Sequence, residues 1–157
     1  MYQSFVFLEM KKAVYRVYRQ SLTVPKVGET IPGTKFHMGF GGKAANAAVM
    51  CARMGGNVTL VAKLGNDDNG KAYREALKKE SVNGILFTDP TEPTGVAQIM
   101  VEESTGQNMI IVVPGSNMTL SKSEVHEAEQ AIQSASLMCF GLEGNLDAVI
   151  ELSLIHI

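Results

Sequence analysis

The chain has 157 residues, 45% of them hydrophobic and 19% charged, and a formal charge of −2. That composition fits one globular domain with a sizeable core, and its near-even charge argues against a broad nucleic-acid or membrane surface. The longest early apolar run, Phe5 to Leu8, is too short to span a bilayer, and no secretory signal is visible. A cytoplasmic protein without nucleic-acid or membrane partners is the expectation. The two cysteines, Cys51 and Cys139, each lie in an apolar stretch. They read as small core residues in a reducing compartment.

Residues 1–21 show neither a clean two-residue nor a clean 3.6-residue pattern and are not assigned an element. The next segment, "TVPKVGETIPG", is a loop punctuated by Pro25, Gly28, Pro32 and Gly33. "TKFHMGF" alternates enough for a short strand that ends at glycines. Ala44 to Met54 reads as an alanine-rich helix stopped by Gly55-Gly56. "NVTLVAKLG" is a buried strand, and "NDDNG" is a loop whose Asp67 and Asp68 serve as cap residues for a helix over about 71–80.

"GILFTD" is the next strand. After Pro90 and Pro93, "TGVAQIMVEE" and "NMIIVVPG" form a hairpin across "STGQ". Ser121, with Glu124 three residues on and Leu120 and Val125 at the staple positions, starts a helix that runs to about Ser134. "SLMCFGLE" is expected as a buried strand, and "NLDAVIEL" begins another helix. Met38, Met50, Met54 and Met138 read as core fillers, and Asn117 as a turn cap. His37, His126 and His156 have no metal-ligand spacing. The alternation of strand and helix predicts an α/β fold, and the extended interruption predicts a small accessory sheet.

The stretch "GFGGKAAN" combines a glycine turn with the start of a helix. Its glycines let backbone N–H groups face outward, and the helix start adds partial positive charge. Lys43 supplies a full charge, and Asn46 offers both a donor and an acceptor. Such a set suits hydroxyls, a phosphate, or both; a tight turn with a solvated lysine is the plain alternative. It is not a Walker A loop, because Ala44 follows Lys43 where Ser or Thr is needed. It is not the dinucleotide motif either, because the third glycine is missing.

Together with its neighbours, "VGETIPGTKFHMGFGGKAANAAVMCARMGG" resembles the N-terminal signature of the ribokinase family of sugar kinases, also called the phosphofructokinase-B family. The likeness continues through "LVAKLGNDDNG", "TGVAQIMVEESTGQNMIIVVPGSN" and "LEGN", from about residue 25 to residue 152. It implies a ribokinase-like three-layer α/β sandwich, partial here, with a small β-sheet lid formed around Thr34–Phe40, Gly95–Val101 and Asn108–Val113. The implied reaction transfers the ATP γ-phosphate to O5 of D-ribose, with Mg²⁺ and a monovalent cation such as K⁺. By the resemblance, Gly41, Gly42, Lys43, Asn46 and Glu143 contact the sugar, and the lid pairs two subunits into a homodimer.

The resemblance has gaps. Family members end their first strand with an Asn and an Asp that grip the sugar, whereas residues 1–28 contain neither. Residues 1–24 are therefore expected to be an atypical or replaced segment. No Gly-Ala-Gly-Asp pattern occurs in the chain, and the family's catalytic base and nucleotide site are expected beyond its C-terminus. The closing "LSLIHI" resembles translated adaptor sequence, so 153–157 is expected to be a non-native tail. The alternatives are a kinase for another sugar or a nucleoside, and a non-catalytic fragment that binds sugar or dimerises through the lid.

Overall fold

The computed structural model describes residues 4–9, 14–141 and 145–156. Two sheets and five α-helices follow in the order β1 (Ser4–Glu9), β2 (Val14–Ser21), β3 (Lys35–Gly41), α1 (Lys43–Arg53), β4 (Asn57–Gly65), α2 (Asp68–Lys79), β5 (Asn83–Asp89), β6 (Val96–Glu102) and β7 (Asn108–Val113). A 3-10 turn at Gly115–Met118 then leads to α3 (Lys122–Glu127), α4 (Glu129–Gln133), β8 (Leu137–Phe140) and α5 (Leu146–His156). Among the described residues, no helix is long and apolar enough to cross a membrane.

The main sheet is parallel throughout, in the order β5-β4-β1-β8. Strand alternation divides its core between two faces. Phe7, Val58, Leu60, Ala62 and Leu64 pack with Ala45 and Ala48 of α1 and with Tyr73 and Leu77 of α2. Val6 and Val61 point the other way, into Val125, Ile132, Val149 and Leu152 of α3, α4 and α5. Helices thus cover both faces, which is the three-layer arrangement the family resemblance implied.

The second sheet runs β3-β2-β6-β7. Its register sorts the side chains cleanly. Rows such as Met38–Val17–Gln98–Ile111 and Phe36–Arg19–Met100–Met109 share one face. On it Phe36, Met38, Phe40, Met109, Ile111 and Val113 are all exposed. The opposite face carries Tyr18, Ala97 and Ile99, and here Ala97 and Ile99 are buried.

Several local expectations hold. Asp67 caps α2 by accepting from the Gly70 N–H at 2.8 Å. Ser121 and Glu124 form a reciprocal capping box at α3, with Leu120 and Val125 buried beside it. Asn117 donates to the Pro114 carbonyl at 2.7 Å.

Others need correction. Residues 4–9 and 14–21, given no element by pattern, are two strands: β1 lies inside the main sheet and β2 inside the second. The helix expected to Ser134 divides at Ala128, which ends α3 and precedes α4. The strand expected to be buried, β8, is the outer strand of its sheet among the described residues, with Leu137 51% and Phe140 39% exposed. Cys139 is exposed with it, whereas Cys51 packs against the core. Of the four methionines read as core, only Met138 packs there; Met38 is exposed on the second sheet, Met50 on α1 and Met54 at the C-cap of α1.

Candidate functional site

The site is built where the second sheet hands the chain to the main one. Strand β3 ends at Gly41, Gly42 is the N-cap of α1, and Lys43 opens the helix. Gly42 has φ 121° and ψ 140°, a conformation closed to other residues at ordinary cost. Helix α1 leads into β4 and packs on β1 and β4, so its N-terminus lies at the end of the sheet where the parallel strands finish. Ligands of open parallel sheets gather at that end.

Gly41 is fixed from two sides. Its carbonyl accepts from the buried Tyr73 hydroxyl of α2 at 2.5 Å. The Tyr73 ring meets Phe40 edge to face, with centroids 5.5 Å apart and planes at 85°. Above Gly41 lies Arg16 of β2. A side chain on Gly41 would collide with Arg16 Nε and would come within 2.5 Å of Cζ and 2.7 Å of Cδ. The glycine is thus required twice over: next to it for backbone geometry, and at Gly41 for this close approach.

Gly41 and Gly42 are buried, while Lys43 and Asn46 are exposed. No acidic residue stands in the first turn of α1, and no side chain caps it, so the positive end of the helix is not countered from within. Asn46 lines a cleft of about 530 Å³ between α1 and α2. Phe40, Gly41, Ala45, Val49 and Tyr73 form its apolar part, and Arg53 and Glu80 lie on its rim. Backbone donors, one ammonium group and one amide beside an apolar cleft suit a small polyhydroxylated or anionic molecule. Glu143 lies outside the described residues. The groups brought together are therefore Gly41, Gly42, Lys43 and Asn46, with Arg16, Tyr73 and Phe40 added by the fold.

The second sheet is anchored to the main sheet at the start of β6. The Asp67 carboxylate accepts from the Thr94 N–H at 2.8 Å and from its hydroxyl at 2.6 Å, and the Thr94 hydroxyl oxygen accepts from the Gly65 N–H at 3.0 Å. Burial would raise the Asp67 carboxyl, but the Thr94 hydroxyl and the N–H groups of Gly70 and Thr94 outweigh it and hold the pKa below its usual value. The return from β7 is fixed by a second network. Lys63 of β4, nearly buried, lies 2.9 Å from Glu124 and 3.6 Å from Asp89 and donates to the Thr119 carbonyl at 3.1 Å. Asp89 accepts from the Glu92 N–H, the Thr119 hydroxyl and the Thr91 N–H, and these bonds hold its carboxyl well below the usual carboxylate range.

Arg16, Tyr73 and Phe40 escape the sequence reading. The "VYRVYR" triplets of β2 hide a strand behind a three-residue period. Their β-branched and aromatic content was the available strand signal.

The model of the pfkB family carbohydrate kinases matches residues 12–152. The ribokinase of Mus musculus is 41% identical over 130 residues, which are 82% of this chain and 40% of that protein. The ribokinase of Dictyostelium discoideum is 38% identical over 129 residues, with the same coverage. Among solved structures, Arabidopsis thaliana ribokinase complexed with ribose and ATP superposes with a TM-score of 0.83 at 29% identity, covering 99% of this chain and 50% of that one. The chain thus spans about 40% of these curated relatives and half of this solved structure.

Proposed function

The chain belongs to the pfkB family of carbohydrate kinases, and on that premise we propose that it supplies the sugar-binding part of a ribokinase-type enzyme. The observation that supports this reading is the Gly41-Gly42-Lys43 turn at the head of α1, with Asn46 one turn in, beside the second sheet. In this reading the backbone at Gly41 and Gly42, the Lys43 ammonium and the Asn46 amide hold D-ribose by its hydroxyls. Glu143 completes the contacts, and the second sheet acts as a lid that shields the sugar from water. The exposed apolar face of that lid, with Met38 and Ile111 at its centre, pairs with a second copy.

ATP, when bound, supplies the γ-phosphoryl group that passes to the ribose O5. Such transfer depends on positioning and on neutralising charge. The described residues offer no fit for the metals that accompany the nucleotide. The sequence holds no Gly-Ala-Gly-Asp segment, and among the described residues no group of three His, Cys, Asp or Glu side chains could hold a metal ion. We assign the ATP, Mg²⁺ and K⁺ sites to the portion of the relatives that this chain does not span. In this reading the described residues bind and orient the sugar.

Calorimetric titration of the purified chain with D-ribose tests the binding reading. Asn46→Ala should weaken binding by about 1 kcal/mol, the ordinary net value of one hydrogen bond. Unchanged affinity in that variant would remove Asn46 from the site, and no heat with either protein would remove the sugar.

A further inference from the structure

We propose that Arg16 belongs to this same site and makes it favour an anionic sugar, one carrying a phosphate or a carboxylate, over a neutral sugar. The proposal rests on the sugar-site reading and narrows it.

Arg16 stands opposite Gly39 of β3 and Ala97 of β6. Side chains two residues apart share a face of a strand, so Arg16 shares its face with Tyr18, Gly39, Gly41, Ala97 and Ile99. None of these is acidic. Gly39 and Gly41 form a track without side chains. The arginine lies along it, with Cδ, Nε and Cζ seated where a Gly41 side chain would be.

The guanidinium is also held in orientation. Arg16 Nη1 donates to the Tyr18 hydroxyl at 3.2 Å. That bond uses one of the five N–H donors and fixes the plane of the group. Arg16 is only partly exposed, so its charge is screened less than that of a surface arginine. It rests over the residue that precedes the N-cap of α1, and Lys43 opens the helix beyond.

The two ligand classes respond differently to such a group. A sugar hydroxyl accepts a neutral-acceptor hydrogen bond from it. A phosphate or carboxylate presents paired, charged oxygens that match the planar fork. The same pentose should therefore bind more tightly once it carries an anionic substituent. For a kinase of this type, that includes its own phosphorylated product.

The test is calorimetry on the 157-residue protein at fixed ionic strength with D-ribose, D-ribose 5-phosphate, D-ribonate and inorganic phosphate. We expect D-ribose 5-phosphate, D-ribonate or both to bind about tenfold more tightly than D-ribose, the scale of one charge-assisted hydrogen bond. Whichever is tighter identifies the anionic group preferred. Arg16→Gln should abolish the preference, with the larger loss of affinity falling on the anionic ligands. Arg16→Lys, which keeps the charge but not the fork, should retain about a threefold preference, and it decides the matter if Arg16→Gln fails to give the native circular dichroism spectrum. Equal affinity for all three pentoses, or a preference that persists undiminished in both variants, overturns the role of Arg16 and leaves the sugar site standing. Failure of every pentose to bind, or inorganic phosphate binding as tightly as D-ribose 5-phosphate, overturns the sugar-site reading and this proposal with it.

Discussion

Tyr73 shows how one buried hydroxyl shapes the site. It is 1% exposed, packs on Phe40, and donates to the carbonyl that ends β3. Tyr73→Phe keeps the ring and removes the bond, leaving a buried carbonyl unpaired. We expect a loss of about 1–3 kcal/mol in urea unfolding and weaker pentose binding, because the turn at Gly41 loses its brace. A neutral result in both measurements would mean that the bond is not needed to hold the turn. Asp89 makes a prediction about pH. Its pKa is lower folded than unfolded, so the native state holds fewer protons on it. The stabilisation from this group is complete above its unfolded pKa, near 4, and is lost as the pH falls through the lower folded value. Asp89→Asn should cost about 2–4 kcal/mol at neutral pH, since it strips charge from hydrogen bonds that hold Thr91, Glu92 and Thr119 and leaves Lys63 with one carboxylate. Measured stability should then fall less steeply than in the wild type between about pH 5 and pH 3. Parallel wild-type and variant curves over that range would contradict this account.

At the scale of elements, the capping box of α3 is the most direct test of local chemistry. Ser121 bonds the Glu124 N–H, and the Glu124 carboxylate returns to the Ser121 N–H and to Lys63. Ser121→Ala should cost about 1 kcal/mol, measured by thermal or urea unfolding. This element was legible in the sequence because serine, glutamate, leucine and valine stood at the required offsets. The strand–helix alternation from Lys35 to Lys79 was legible for the same reason, through Gly55-Gly56 and the Asp67 cap. Strands β1 and β2 were not, since pairings distant in sequence complete them: β1 pairs with β4 and β8, and β2 with β6 as well as with the next strand, β3. Only those pairings give Phe7 and Arg16 a face. The exposure of β8 was equally hidden, because "SLMCF" has the composition of a central strand whatever stands beside it. For the site, the glycine turn with Lys43 and Asn46 could be read locally. Arg16 could not, because a cross-sheet contact leaves no spacing in the sequence.

For the molecule as a whole, the two sheets make separable demands. One face of the second sheet exposes an apolar block, with Ile111 at 59%, and an apolar face of this kind needs a partner. Light scattering should show association at micromolar concentration, and Ile111→Lys should shift the population toward monomer without loss of the circular dichroism spectrum. A protein that stays monomeric across a wide concentration range would count against pairing through this face. Among the described residues β8 is an edge strand of the parallel sheet, and such edges favour aggregation. Incubation with ATP, Mg²⁺, K⁺ and D-ribose should release no ADP above a catalytically inactive control prepared in the same host. Clear turnover would reveal a nucleotide site among these residues. The central claim is that the turn at the head of α1 is where the sugar binds. The most direct measurement is a two-dimensional amide NMR titration of the isotope-labelled chain with D-ribose. Saturable shifts concentrated at Gly41, Gly42, Lys43 and Asn46 are expected. Shifts that are absent, or that gather elsewhere while these four stay still, would contradict that claim.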